Sequence, residues 1–164
     1  MASVLTRRGA LFCCAGCLAS ALVLRAQAVT AEPRPDFGFG EIAPGVWRHT
    51  SWNTLSNGAY FPSNGMAVVG AKRALMIDTA WTRDQTETLL GLLSPIVGRK
   101  PMDLFVTHFH ADRMGGIDVT ASRGIASHAF ERTVYEAARV KAGSIERAFA
   151  PVSHLFDLGG RAVE

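Results

Sequence analysis

Apolar and polar residues alternate with a period of two over the first ordered stretch of the chain and then switch to helical spacing, and that switch predicts the architecture. Phe37-Gly38-Phe39 begins with alternating aromatics, Ala43-Pro44-Gly45 marks a turn, and residues 46–50 alternate as a half-buried strand does. Residues 66–69 and 74–77 read as two further strands around a turn at 70–72, so the opening is antiparallel sheet. Thr82 and Gln85 then fit a capping box, and Leu89, Leu92, Leu93 and Ile96 recur at helical spacing until Pro95 and Gly98 disturb and end it. Residues 102–106 form a short apolar run, the pattern of a buried strand, ending at a histidine-rich turn. Residues 117–123 read as a short helix, 125–127 as a short strand and 130–141 as a helix. Residues 154–158 and 161–164 flank Gly159-Gly160 as a hairpin would. Strands first and strand-helix alternation later predict a mixed α/β fold with helices covering a sheet.

The first 28 of the 164 residues carry a different pattern: Arg7 and Arg8, an apolar stretch from Ala10 to Leu24, and a small-residue end at Ala26-Gln27-Ala28. This is the three-part pattern of an export signal, which predicts a periplasmic protein. The paired arginines resemble a twin-arginine signal, and the general secretory route is the other reading. Ala15-Gly16-Cys17 approximates a lipoprotein cleavage site, so Cys17 is a candidate lipid anchor, apart from which no stable membrane association is expected. All three cysteines, Cys13, Cys14 and Cys17, lie in this leader, so cleavage after Ala28 leaves no disulfide framework. The leader also holds Arg7, Arg8 and Arg25 and no acidic residue, so the formal charge of +3 is a leader effect and gives no argument for nucleic acid. Residues 29–36 read as a proline-punctuated linker and 37–164 as one domain, expected to be monomeric. The last strand stops four residues in with no cap or polar tail, which predicts that the sequence is the N-terminal part of a longer protein.

The chemistry concentrates in Thr107-His108-Phe109-His110-Ala111-Asp112-Arg113-Met114-Gly115-Gly116, directly after the apolar strand. In extended backbone, alternate residues share a face about 6.5 Å apart, so His108, His110 and Asp112 are expected to converge. Imidazoles and a carboxylate suit zinc, and a strand end anchors them while the following loop keeps the site open. Gly115-Gly116 is expected to let the chain turn sharply behind the ligands. The alternative, an exposed polar loop without chemistry, fits the strand before and the glycine pair after less well.

From Phe37 to Glu164 the chain resembles the first half or more of the metallo-β-lactamases. The resemblance is carried by Ile42-Ala43-Pro44-Gly45-Val46-Trp47, Ser63-Asn64-Gly65-Met66, Ile77-Asp78-Thr79-Ala80-Trp81 and the histidine motif. It implies an αββα sandwich with zinc at one edge. Many relatives place a histidine after the aspartate, but Arg113 stays protonated and cannot ligate zinc, so the pattern resembles the class B di-zinc subclass. There, His108 and His110 would bind a first Zn2+ and Asp112 a second, giving Asp112 a catalytic part. A third histidine, a cysteine and a final histidine, none identifiable here, would complete the pair.

The same resemblance implies hydrolysis of the β-lactam amide ring, a route to antibiotic resistance, by metal-bound hydroxide acting on a small-molecule substrate. Asp78 and Arg113 would support the ligand loop from behind, with a strand-end turn as the plainer reading of Asp78. Residues 51–64 read as a loop carrying Trp52, Leu55, Tyr60 and Phe61. With Trp81, these are candidates for a mobile flap over the substrate, although self-packing is the alternative and Trp81 reads more readily as packing. His49, His128 and His154 read as structural. Two other outcomes stay open: another exported zinc hydrolase of the same fold, and an inactive truncated fragment.

Overall fold

The computed structural model describes residues 35–150 and 153–164. The expected export signal, the candidate anchor at Cys17 and residues 29–34 of the expected linker lie outside the described residues. Four strands, β1 (Gly38–Ala43), β2 (Val46–Thr54), β3 (Tyr60–Val69) and β4 (Ala74–Ile77), run antiparallel, each beside its predecessor. Helix α1 (Arg83–Val97) then crosses over to β5 (Met102–Phe105), which pairs parallel to β4. Two short helices, α2 (Ala111–Met114) and α3 (Ile117–Ser122), lead to β6 (Ala126–Phe130), and α4 (Glu131–Arg139) leads to β7 (Arg147–Phe149), both strands again parallel. The result is one seven-stranded sheet in sequence order. A separate hairpin of β8 (Phe156–Asp157) and β9 (Ala162–Val163) follows.

The core lies between the helices and one face of the sheet. Ala67, Met76, Leu104 and Val106 from the strands meet Leu89, Leu90, Leu93 and Val97 of α1 and Ile117 and Val119 of α3, all buried. Each fully buried leucine contributes about 1.5–3 kcal/mol relative to exposure. Helix α1 is fastened at its start by Thr82, whose hydroxyl accepts from the Gln85 N–H at 3.2 Å. It runs through Pro95 to Val97 and ends at Gly98, as the sequence suggests. The bond that Pro95 cannot make would go to the carbonyl of Gly91, an exposed residue whose oxygen water can reach. The buried face shifts accordingly: Leu90 and Val97 enter the core, while Leu92 is 40% exposed.

The other face of the sheet carries the β8–β9 hairpin. Leu158 is buried against Val68 and Leu75, and the hairpin turn passes through Gly159 and Gly160 at φ of 78° and 74°, as the glycine pair predicts. The Arg161 guanidinium donates to the Pro44 carbonyl at 2.7 Å, which ties the hairpin to the β1–β2 turn. Beyond the hairpin the face is less covered, with Ile42 55% and Met66 37% exposed. No described helix is long and apolar enough to cross a membrane.

Residues 51–64 are strand over most of their length, which corrects their reading as a loop. Only residues 55–59 turn between β2 and β3, and Trp52 stands opposite Pro62, Asn53 opposite Phe61 and Thr54 opposite Tyr60. Past Thr50 on β2 and before Met66 on β3, the strands pair only with each other, so they form a ribbon projecting from the sheet. Pro62 is tolerated there because its side of β3 has no neighbour to receive an N–H. Strand β7 and helix α2 are absent from the sequence reading. Three and four residues are too few to show a period.

His49 is buried under this arrangement, 1% exposed, with its ring stacked on Phe37 at a centroid distance of 6.2 Å. Its neighbour across the ladder is Gly65, where a Cβ would stand 2.2 Å from His49 Nε2 and 2.6 Å from the Ile77 carbonyl oxygen. Substituting Gly65→Ala is expected to cost about 1–3 kcal/mol through overpacking, read as a lower urea midpoint at unchanged slope. Burial also pushes the His49 pKa down to about 4. A histidine depressed on folding contributes stability above its unfolded pKa of about 6.5 and loses it as pH falls toward 4. The difference in unfolding free energy between wild type and His49→Phe is therefore expected to move by about 3 kcal/mol against the wild type between pH 6.5 and 4. A pH-independent difference would show that His49 is protonated in the fold.

Candidate metal centre

Strand β5 delivers its chain to the site through a buried carboxylate. Asp78 follows β4, is 3% exposed and holds φ at +63°, a left-handed conformation that aspartate tolerates better than most residues. Its Oδ1 accepts from the Thr107 N–H at 2.8 Å, and the Thr107 hydroxyl reaches Oδ1 at 3.0 Å and Oδ2 at 2.8 Å. Asp78 thus supports the ligand loop from behind by gripping Thr107, without bonding a histidine ring directly. Burial raises its pKa to about 6, with the Thr107 bonds and the Arg113 charge opposing that rise.

After Thr107 the chain bends through His108 and His110 and enters α2, whose first turn holds Asp112. Strand alternation is therefore not what gathers the three side chains; a bend followed by one helical turn does it. The donor atoms of His108, His110 and Asp112 all lie within 4.8 Å of one another. The rings of His108 and His110 stand edge to face with centroids 5.0 Å apart, and His108 Nε2 is 3.7 Å from Asp112 Oδ1. Desolvation lowers the His108 pKa, partly offset by Asp112, which favours the neutral ring that a metal requires. Two imidazoles and a carboxylate at this spacing fit zinc: donors on one tetrahedral ion lie roughly 3.3 Å apart, and a pair of ions spans more.

Arg113 faces back from α2. Its Nε lies 3.2 Å from Asp112 Oδ2 and 3.7 Å from Asp78 Oδ2, and its guanidinium donates to the Asn64 carbonyl. It links the candidate ligand Asp112 to Asp78 and to β3. Ser63 adds a hydroxyl bond of 2.9 Å to the Asp112 carbonyl, and Thr79 accepts from the Gly116 N–H at 3.1 Å while donating to the Arg113 carbonyl. Thr107, Ser63, Asn64 and Thr79 brace the cluster without any sequence signal specific to that role. Their signal, small polar residues at strand ends, is common to many turns.

Gly115 and Gly116 serve packing rather than a sharp turn. Gly115 has ordinary helical angles, φ −59° and ψ −17°, but a Cβ on it would stand 1.9 Å from the Trp81 carbonyl oxygen, and one on Gly116 would stand 2.1 Å from the Thr86 hydroxyl. Trp81 thus works at the back of the ligand helix, and its N–H donates to Ser51 Oγ at 3.2 Å. In the ribbon, Trp52 and Tyr60 share one face and Phe61 takes the other, with Leu55 39% and Phe61 52% exposed. Gln85 fastens the ribbon base: its carboxamide accepts from the Trp52 N–H at 3.1 Å and donates to the Trp52 carbonyl at 2.8 Å. That carboxamide bonds Trp52 at both ends, where a capping box would have it reach back toward Thr82. His128 and His154 stand apart from the candidate metal donors, packed with Phe149 and Phe156 beside the β8–β9 hairpin.

Residues 59–157 match the metallo-beta-lactamase superfamily as a sequence family. A metallo-beta-lactamase type 2 from Bacillus sp. (strain 170) is 30% identical over 102 residues, 62% of this chain and 39% of that protein. One from Bacillus cereus is 32% identical over 88 residues, 54% and 34% of the two lengths. The chain therefore spans about 40% of the curated relatives it matches. Among solved structures, a metallo-beta-lactamase from Pontibacter korlensis superposes with a TM-score of 0.72 at 30% identity, covering 77% of this chain and 58% of its own. The mono-zinc form of the metallo-beta-lactamase FIM-1 from Pseudomonas aeruginosa gives 0.64 at 29% identity, covering 74% and 54%. In sequence, sheet order and the position of the histidine loop at a strand end, the chain belongs to the metallo-beta-lactamase superfamily.

Proposed function

We propose that the protein of which this chain is part is an exported class B enzyme that opens the amide ring of β-lactams with two zinc ions. The observation that supports this is the gathering of His108, His110 and Asp112 at the end of β5, braced by Asp78, Thr107 and Arg113. Zinc bound there would supply a Lewis acid and lower the pKa of a water from about 15.7 to about 7. The chain's own residues set the orientation. Thr107 Oγ1 lies 3.3 Å from His108 Nδ1, which leaves Nε2 to face the donor cluster. Arg113 occupies Asp112 Oδ2 and leaves Oδ1 toward His108. Asp112 would then be the carboxylate ligand of the second ion. The ribbon bearing Leu55 and Phe61 rises from β2 and β3, the strands whose Ser63 and Asn64 touch the ligand helix, and would cover the substrate. The leader at residues 1–28 supports delivery to the periplasm.

The 164-residue chain offers one cluster of metal donors among the described residues, with three members, and by itself is proposed to be inactive. Expression of the complete reading frame is expected to give carbapenem hydrolysis that EDTA abolishes and zinc restores. His108→Ala or Asp112→Ala should reduce kcat/KM by about 100-fold or more while leaving the fold intact. A zinc-loaded protein that turns over no β-lactam would move the assignment to another hydrolase on this fold. Chelator-sensitive turnover by the 164-residue chain alone would overturn the proposal of its inactivity.

A further inference from the structure

The end of β5 opposite the metal ligands opens on a second cleft of about 450 Å³. Four cations line it, Arg73, Lys100, Arg123 and Arg147, with Asp103 as the carboxylate among them. That carboxylate is already committed. Asp103 is 6% exposed, Arg73 donates to its Oδ2 from Nε at 3.2 Å and from Nη2 at 2.5 Å, and His128 Nε2 lies 3.4 Å from its Oδ1. Lys100, Arg123 and Arg147 enter no ion pair among the described residues. They come from three separate segments: the loop after α1, the turn after α3 and the first residue of β7. Three unpaired cations converging on one concavity repel one another, and folding maintains that repulsion. A cleft lined by one sign of charge concentrates ions of the other sign. Leu93, Val97 and Ile125, which are buried in the core, close the cleft from behind.

We propose that this cleft binds a multiply charged phosphate group, with Arg123 and Arg147 as forked donors and Lys100 as a point charge. Arginine matches phosphate oxygens two at a time and lysine supplies charge without that geometry. This site is independent of the hydrolytic reading, because it shares no side chain with the metal cluster.

Inorganic pyrophosphate titrated calorimetrically into the chain, with EDTA present to exclude metal-mediated binding, tests this directly. One saturable site is expected, weakening as salt rises. Arg123 and Arg147 are exposed, so the double substitution Arg123→Gln with Arg147→Gln should fold normally and weaken binding at least about tenfold, the loss of one or more charge-assisted bonds. The charge-retaining pair Arg123→Lys with Arg147→Lys should bind more tightly than the glutamine pair. His108→Ala with His110→Ala should bind as wild type does. Absence of saturable binding overturns the proposal, as does an unchanged affinity in the glutamine variant. So does loss of binding in the histidine variant, which would place the anion at the metal loop. If the cations serve only the carbonyl ends of α1 and α3, the glutamine pair will lower Tm and leave pyrophosphate affinity unchanged, and the proposal fails.

Discussion

A carboxylate that solvent hardly reaches fixes the position of everything chemical at this edge of the sheet. Asp78 spends both oxygens on Thr107, the residue immediately before the first histidine, and faces Arg113, the residue immediately after Asp112. Hydrogen bonds to a charged group contribute about 1.5–3 kcal/mol each, and an unmatched buried charge costs more than that. The loop is therefore held at both of its ends by one side chain. Burial pulls Asp78 toward its protonated form while Thr107 and Arg113 favour its ionised form, so the same contacts that place the candidate donors also oppose neutralisation of their support.

The close packing behind α2 is the counterpart of that clamp. With no side chain on Gly115 and Gly116, the ligand helix approaches the Trp81 carbonyl and Thr86 to distances that any Cβ would forbid. One anchor acts through charge and hydrogen bonds from β4, the other through contact with the start of α1. Between them the three donors have little freedom to drift apart. Sites built on such supports hold their geometry better than sites on free loops.

Much of this was legible in the sequence because each signal was strong locally. The period of two in residues 46–50, the capping threonine at position 82 and the paired glycines at 159 and 160 each specify their element with few neighbours involved. The three donors were legible as a group because so few residues separate them. What the sequence concealed depends on partners distant along the chain. Gln85 looks like half of a capping box until Trp52 takes its carboxamide. Residues 51–64 look like a loop because Pro62, Asn57 and Gly58 are turn residues, yet a ribbon with one free side accommodates the proline. His108, His110 and Asp112 were expected to converge through alternation, and a bend into a helical turn achieves the same end. Short elements such as β7 leave no periodic trace at all.

The ribbon's construction has a dynamic consequence. Past Thr50 its strands pair as a ladder only with each other, while side chains lock its base to Gln85 and, through Ser63, to α2. Local unfolding can therefore begin at the tip and stop at the base without loosening the sheet, so tip amides should exchange with solvent far faster than those of β4 and β5. The tip can change in length and sequence at little cost to the fold, whereas the base cannot.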